Sequence, residues 1–217
     1  MRPRNIFPRR EWILRSPRES LEGALRSGAY VDITDWPQVR VDLRYGSKNN
    51  LLREDVYEGF QRALLHPVAA EKFRQACEIL KTECPQFRFL VFDSLRPQSA
   101  QVKFWNLVVN TRMQSYFADP QKGSLHSYGF AIDLGLLGSD GKEVDMGTGF
   151  DSLEVLAEPQ RELEMKANGR LSETQLQNRL CLRSVMQSAG FIQLPHEWWH
   201  YDALTSAQVR AEYSILE

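Results

Sequence analysis

Of the four histidines in this 217-residue chain (His66, His126, His196 and His200), two stand in local sequences that could do chemistry. One is Ser124-Leu125-His126-Ser127-Tyr128-Gly129-Phe130-Ala131-Ile132-Asp133, the other His196-Glu197-Trp198-Trp199-His200. Residues 130–136 read as a strand. Side chains alternate there, so Ala131, Asp133 and Gly135 share one face and Phe130, Ile132, Leu134 and Leu136 the other. A carboxylate among such neighbours needs a cation, because an isolated buried charge is very costly. Ala131 and Gly135 leave space for one, and a turn at Gly129 would return His126 towards Asp133. Glu197 and His200, three apart, share a side only if the chain turns there. Two imidazoles and a carboxylate make a three-ligand zinc site whose fourth tetrahedral position is left for water. Zinc lowers the pKa of that water to about 7. Glu197 then serves as the base, and later as the acid that protonates the departing amine. The plain alternative for either motif is a structural or surface imidazole. His66, beside Pro67, reads as a surface residue or helix cap, His196 as an outer or exposed group, and Trp198 and Trp199 as core and pocket wall.

These residues need elements to hold them. Residues 39–45 alternate Val39, Val41, Leu43 and Tyr45 with Arg40, Asp42 and Arg44, a half-buried strand, and 46–50 is turn chemistry. Residues 67–83 place Ala69, Phe73, Ala76, Cys77 and Leu80 at helical spacing behind Pro67. Residues 87–92 read as a buried strand. A second helix is expected from Pro97 to about Phe117, with Val102, Trp105, Leu107, Val108 and Val109 as core candidates. Residues 137–149 form a glycine-rich connection. A third helix over 171–189 carries Leu176, Leu180, Val185 and Met186 and ends at Gly190. Short strands at 191–194 and 200–203 close the chain. Without a regular βαβ rhythm, an α+β single domain with a central antiparallel sheet flanked by helices is expected. The domain is expected over 31–217, after an irregular, Arg-, Pro- and Ser-rich arm at 1–30 with at most a helical turn at 18–26.

A formal charge of −1 gives no global pull towards nucleic acid or an anionic membrane. The basic cluster Arg2, Arg4, Arg9, Arg10, Arg15 and Arg18 reads as a solvated tail. No apolar run is long enough to span a bilayer, and the first 30 residues lack a secretory signal's apolar segment. Cys77, Cys84 and Cys181 are too few and scattered for a disulfide framework or thiolate site; they read as thiols in a reducing cytoplasm.

Together the two motifs resemble those of the D-alanyl-D-alanine dipeptidases, a zinc peptidase family with the pattern S-x-H-x-x-G-x-A-I-D followed later by E-W-W-H. The likeness extends over roughly 39–205. It includes Val41-Asp42-Leu43-Arg44-Tyr45 with Asn49-Asn50, Asp93-Ser94-Leu95-Arg96-Pro97, Met146-Gly147-Thr148-Gly149-Phe150-Asp151, and Asn178-Arg179 with 182–186 and Gly190-Phe191. The resemblance implies a hedgehog/D,D-peptidase-like zinc fold, with one Zn2+ per chain on His126, Asp133 and His200 and Glu197 as general base. It makes Arg96 the group that polarises the scissile carbonyl and stabilises the oxyanion. Arg96 also precedes Pro97 at an expected helix start, where the dipole disfavours a cation; a surface ion pair is the plain alternative. Tyr45, Ser124 and Asp151 match positions that contact the dipeptide, with Asp151 near its free ammonium. The chain departs from the family in reading D-S-L-R-P for D-G-Y-R-P. Tyr128 and Phe130 also stand where the vancomycin-resistance member has an arginine and a small residue.

The implied function is zinc-dependent hydrolysis of D-Ala-D-Ala, in wall-precursor recycling or glycopeptide resistance, with a small D,D-dipeptide as the partner and neither nucleic acid nor membrane. A D,D- or L,D-carboxypeptidase or endopeptidase on peptidoglycan would use the same zinc site. The amine contacts and the lack of a signal or wall-binding module speak against it. A zinc-stabilised binding domain without catalysis would need neither Glu197 nor Arg96.

Overall fold

The computed structural model describes residues 15–111, 114 and 118–217. Arg2, Arg4, Arg9 and Arg10 of the basic cluster, and Phe117, lie outside them; the helix expected to run to about Phe117 already ends at Val108, with Asn110 at a left-handed φ of +65°.

The chain order is α1 (Pro17–Ser27), β1 (Val31–Asp32), β2 (Val39–Val41), β3 (Leu64–Leu65), α2 (Pro67–Glu83), β4 (Phe87–Asp93) and α3 (Gln98–Val108). It continues with β5 (Ala131–Gly138), α4 (Glu162–Ala167), α5 (Glu173–Ser188), β6 (Ile192–Gln193), β7 (His200–Asp202) and α6 (Ser206–Glu212). Five strands form one sheet in the order β2-β4-β5-β7-β6, and β1 pairs with β3 apart from it. The centre is antiparallel as expected, and only the β2 edge runs parallel to its neighbour β4.

Helix α2 packs on β4 and on α5, and α5 also reaches β5. Phe73 of α2 lies 5.1 Å, ring to ring, from Phe89 of β4. Phe89 is registered with Leu136 and Val91 with Leu134, so these helices cover the face of Leu134 and Leu136. Asp133 therefore faces the other side. Gly135 shares that side, but the room it leaves is filled: a Cβ there would meet the Phe92 ring at 3.0 Å and Trp198 at 3.6 Å.

Four expectations need correction. The arm at 1–30 is not irregular over Pro17–Ser27. Ser16 and Glu19 form a reciprocal capping box, Pro17 sits in the first turn, and Leu21 and Ala24 are buried in the main core. The strand expected to reach Tyr45 stops at Val41. Gln61 bonds the amide and carbonyl of Leu43 and the carbonyl of Gly46, holding Arg44–Gly46 as a 3₁₀ turn that carries Tyr45 inward. On the helices, Leu107 and Leu180 are exposed while Phe104 and Arg179 are buried. Cys84 and Cys181 are not thiols but a disulfide between the end of α2 and α5, made possible by the packing of those helices; Cys77 is free and buried. Among the described residues no helix is long and apolar enough to cross a membrane.

Candidate metal centre

Strand register explains the heart of the site. Asp133 and His200 are direct partners across the antiparallel β5–β7 pair, which brings their side chains onto one face. His200 is the first residue of β7 and follows a turn, so Glu197 returns to the same side, with its Oε2 3.9 Å from His200 Nδ1. His126 arrives from the 3₁₀ turn Leu125–Tyr128, capped by Ser124, whose hydroxyl accepts from the His126 amide at 3.3 Å. Gly129 ends that turn at φ +76°, where its carbonyl accepts from His66 N at 2.9 Å. A Cβ there would lie 2.9 Å from His66 N and 3.0 Å from the Tyr30 ring, so the position requires glycine.

His126, Asp133 and His200 are buried and each offers a ligand atom within 4.8 Å of the others. His126 Nε2 lies 3.3 Å from Asp133 Oδ2, and His200 Nδ1 lies 2.9 Å from Asp133 Oδ1. A hydrogen bond behind His126 sets its tautomer. Nδ1–H of His126 donates to the Ser94 carbonyl at 2.8 Å, because a carbonyl only accepts, and so leaves the Nε2 lone pair facing Asp133. His200 Nε2 lies 2.9 Å from Asp202 Oδ1, as Nδ1 lies 2.9 Å from Asp133 Oδ1; with a cation on Nδ1, Nε2–H would donate to Asp202. Burial works against charge on Asp133, but His126 and His200 hold its carboxyl far below the ordinary range. Burial likewise opposes charge on His200, and Asp202 and Asp133 raise it well above the usual imidazole value. Such a set of donors fits a divalent cation.

Arg96 is locked beside this centre. Its Nε and Nη2 donate to Asp93 Oδ2 at 2.8 and 2.6 Å, its Nη1 donates to Gln101 Oε1 at 3.1 Å, and Nη2 stands 3.7 Å from Asp133 Oδ2. Tyr57 donates to the other oxygen of Asp93 at 2.7 Å. The guanidinium lies 5.0 Å from the ring centres of both Tyr45 and Phe104. Burial pushes the Glu197 carboxyl up; His200 opposes this and Asp133 adds to it.

A cleft of about 460 Å³ joins these groups to Tyr45, Ser124 and Asp151. Tyr45 donates its hydroxyl to the Asp151 carboxylate, 2.9 Å from either oxygen. Asp151 adopts a left-handed φ of +61°, unusual for a residue other than glycine. Its loop is pinned from α5, where Asn178 donates to the Asp145 carbonyl at 2.9 Å and Arg179 to the Met146 carbonyl at 2.6 Å. Trp198 Nε1–H, one residue past Glu197, donates to Thr148 at 2.8 Å.

All eight residues singled out in the sequence therefore line one cleft. His196 lines it too, with Gln160 3.1 Å away, and His66 caps α2. Sequence reasoning missed Asp202, Asp93, Tyr57 and Gln101. The first had a signal, since His200 and Asp202 share a strand face.

Comparisons with known proteins place the chain among the metal-dependent peptidases. It belongs to the D-ala-D-ala dipeptidase family, whose model matches residues 29–215. The D-alanyl-D-alanine dipeptidase of Escherichia coli K12 is 30% identical over 167 residues, spanning 77% of this chain and 80% of that protein. Those of Enterococcus faecium and Enterococcus faecalis V583 are 30% and 29% identical, each spanning 75% of this chain and 85% of its own.

Proposed function

We propose that the chain hydrolyses D-Ala-D-Ala to D-alanine, with one zinc ion held by His126, Asp133 and His200. The observation that carries this reading is the convergence of those three buried donors within 4.8 Å, in the cleft that also contains Glu197 and Arg96. Zinc, when bound, supplies a Lewis acid that makes water nucleophilic near neutral pH. Glu197 takes the proton of the attacking water and gives it to the departing amine; a carboxyl raised by burial suits both transfers. Arg96, held in plane by Asp93 and Gln101, donates to the carbonyl oxygen as it gains charge. Asp151 and Tyr45 pair with the substrate's free ammonium, and Ser124 lines the same cleft. A carboxypeptidase reading has one observation in its favour. Asp151 and Leu51 also border a neighbouring hollow of about 410 Å³, which gives a longer peptide somewhere to continue.

The test is D-alanine release from D-Ala-D-Ala, before and after chelation and after zinc is restored. Activity should vanish and return. Glu197→Gln should keep its zinc while losing about 10²–10⁴-fold in rate. A Glu197→Gln enzyme of near wild-type rate would remove Glu197 from the chemistry.

A further inference from the structure

A dipeptide is charged at both ends, and the groups discussed so far meet only its ammonium. We propose that Arg210 of α6 anchors the substrate's C-terminal carboxylate, an inference that rests on the dipeptidase reading.

Arg210 lines the same cleft as the metal-centre residues, together with Ser124, Asp202 and Thr205. Its guanidinium is held at two points just before the His126 turn. Nε–H donates to the Lys122 carbonyl at 2.9 Å and Nη2–H to the Gly123 carbonyl at 3.1 Å. Both acceptors are neutral, and among the described residues no carboxylate lies within ion-pair distance of Arg210. Other arginines around the site differ: Arg44 is paired with Asp42 and Glu143, Arg96 with Asp93, and Arg183 with Glu162. Among the described residues Arg210 is thus a positioned cation without a carboxylate partner, and three of its five N–H donors bond none of them. The nearby acid Asp202 is engaged through Oδ1 by His200.

Tyr45 follows edge strand β2, Arg96 follows β4, Asp133 lies on β5 and His200 on β7, while α6 packs against the Leu125–Tyr128 turn that carries His126. Across the sheet the sequence of groups is therefore ammonium acceptor, carbonyl donor and metal centre, and Arg210 is bonded to the 122–123 backbone just before the His126 turn, at the metal-centre side of the cleft. A zwitterionic dipeptide laid along that row has its amine at Asp151 and its carboxylate at Arg210. The planar fork of arginine matches a carboxylate.

The experiment compares D-Ala-D-Ala with its C-terminal amide on the zinc-loaded wild type, Arg210→Gln and Arg210→Lys. The wild type should prefer the acid. Arg210→Gln should raise KM for the acid about tenfold, leave kcat and the amide nearly unchanged, and so erase the preference. Arg210→Lys should restore part of it. If Arg210→Gln keeps the wild-type acid-to-amide ratio, or weakens both substrates equally, Arg210 merely ties α6 to the 122–124 loop and the proposal is overturned. Failure of the dipeptidase reading would look different, because the wild type itself would then leave D-Ala-D-Ala uncut.

Discussion

His200 stands between two carboxylates with different tasks. Asp133 Oδ1 lies 2.9 Å from its Nδ1 and Asp202 Oδ1 2.9 Å from its Nε2; with a metal on Nδ1, Asp133 would be a fellow ligand and Asp202 would take Nε2–H. The donors themselves were legible because each broke a local rule: a carboxylate inside an apolar strand, and an acid and a histidine three apart in an aromatic segment. The partners behind them were less so: Tyr57 reaches Asp93 across 36 residues, and the Ser94 carbonyl, 32 residues from His126, is a backbone atom without a side-chain signature, whereas Asp93 stands only three residues before Arg96. At this scale Asp151 sets a pH dependence. Burial pushes its carboxyl up to about 7; the Tyr45 hydroxyl opposes this, and Asp133 adds to it. Below that pH the group is neutral and cannot pair with an ammonium, and above it the group is ionised. The substrate amine loses its own proton above about 8. A pH profile of kcat/KM should therefore rise through about 7 and fall above about 8. In Asp151→Asn the rise near 7 should disappear; an acid limb left in place would assign it to another group.

Among the elements, the strands and helices with clear periodicity formed where the pattern put them: α2 spans Pro67–Glu83 and β4 spans Phe87–Asp93. The failures occurred where a side chain from a distant segment overrode the local pattern. Gln61 curls the chain after β2, and buried Arg179 takes a core position of α5, where its Nε bonds the Met146 carbonyl and its Nη1 pairs with Glu162. The α1 capping box was readable as Ser16-Pro17-Arg18-Glu19, but was hidden by the polar composition around it. The turn that delivers His126 depends on Gly129. Gly129→Ala should destabilise the fold by roughly 1–3 kcal/mol, from left-handed strain and the approach to His66 and Tyr30. It should also weaken zinc binding, since His126 moves with the turn. Urea titration and metal content of the same preparation would check both, and a variant unchanged in either would show that the turn tolerates a side chain.

For the molecule as a whole, the sheet serves as a ruler. Its strand order spaces Tyr45, Arg96, Asp133 and His200 across one face, while α2 and α5 bury the other. That spacing was not visible in the sequence, where the same residues lie between 45 and 200 without regular intervals. At one side of the cleft it makes stands the half-buried carboxylate of Asp151, and a dipeptidase differs from a carboxypeptidase in what that side will accept. An acylated amine would leave Asp151 without a cationic partner, a costly outcome for a half-buried charge. The most direct measurement is kcat/KM for D-Ala-D-Ala beside N-acetyl-D-Ala-D-Ala on the zinc-loaded enzyme. The dipeptide should be turned over and the acetylated compound disfavoured by about 10²-fold or more. Comparable release of D-alanine from the acetylated substrate would contradict the dipeptidase reading.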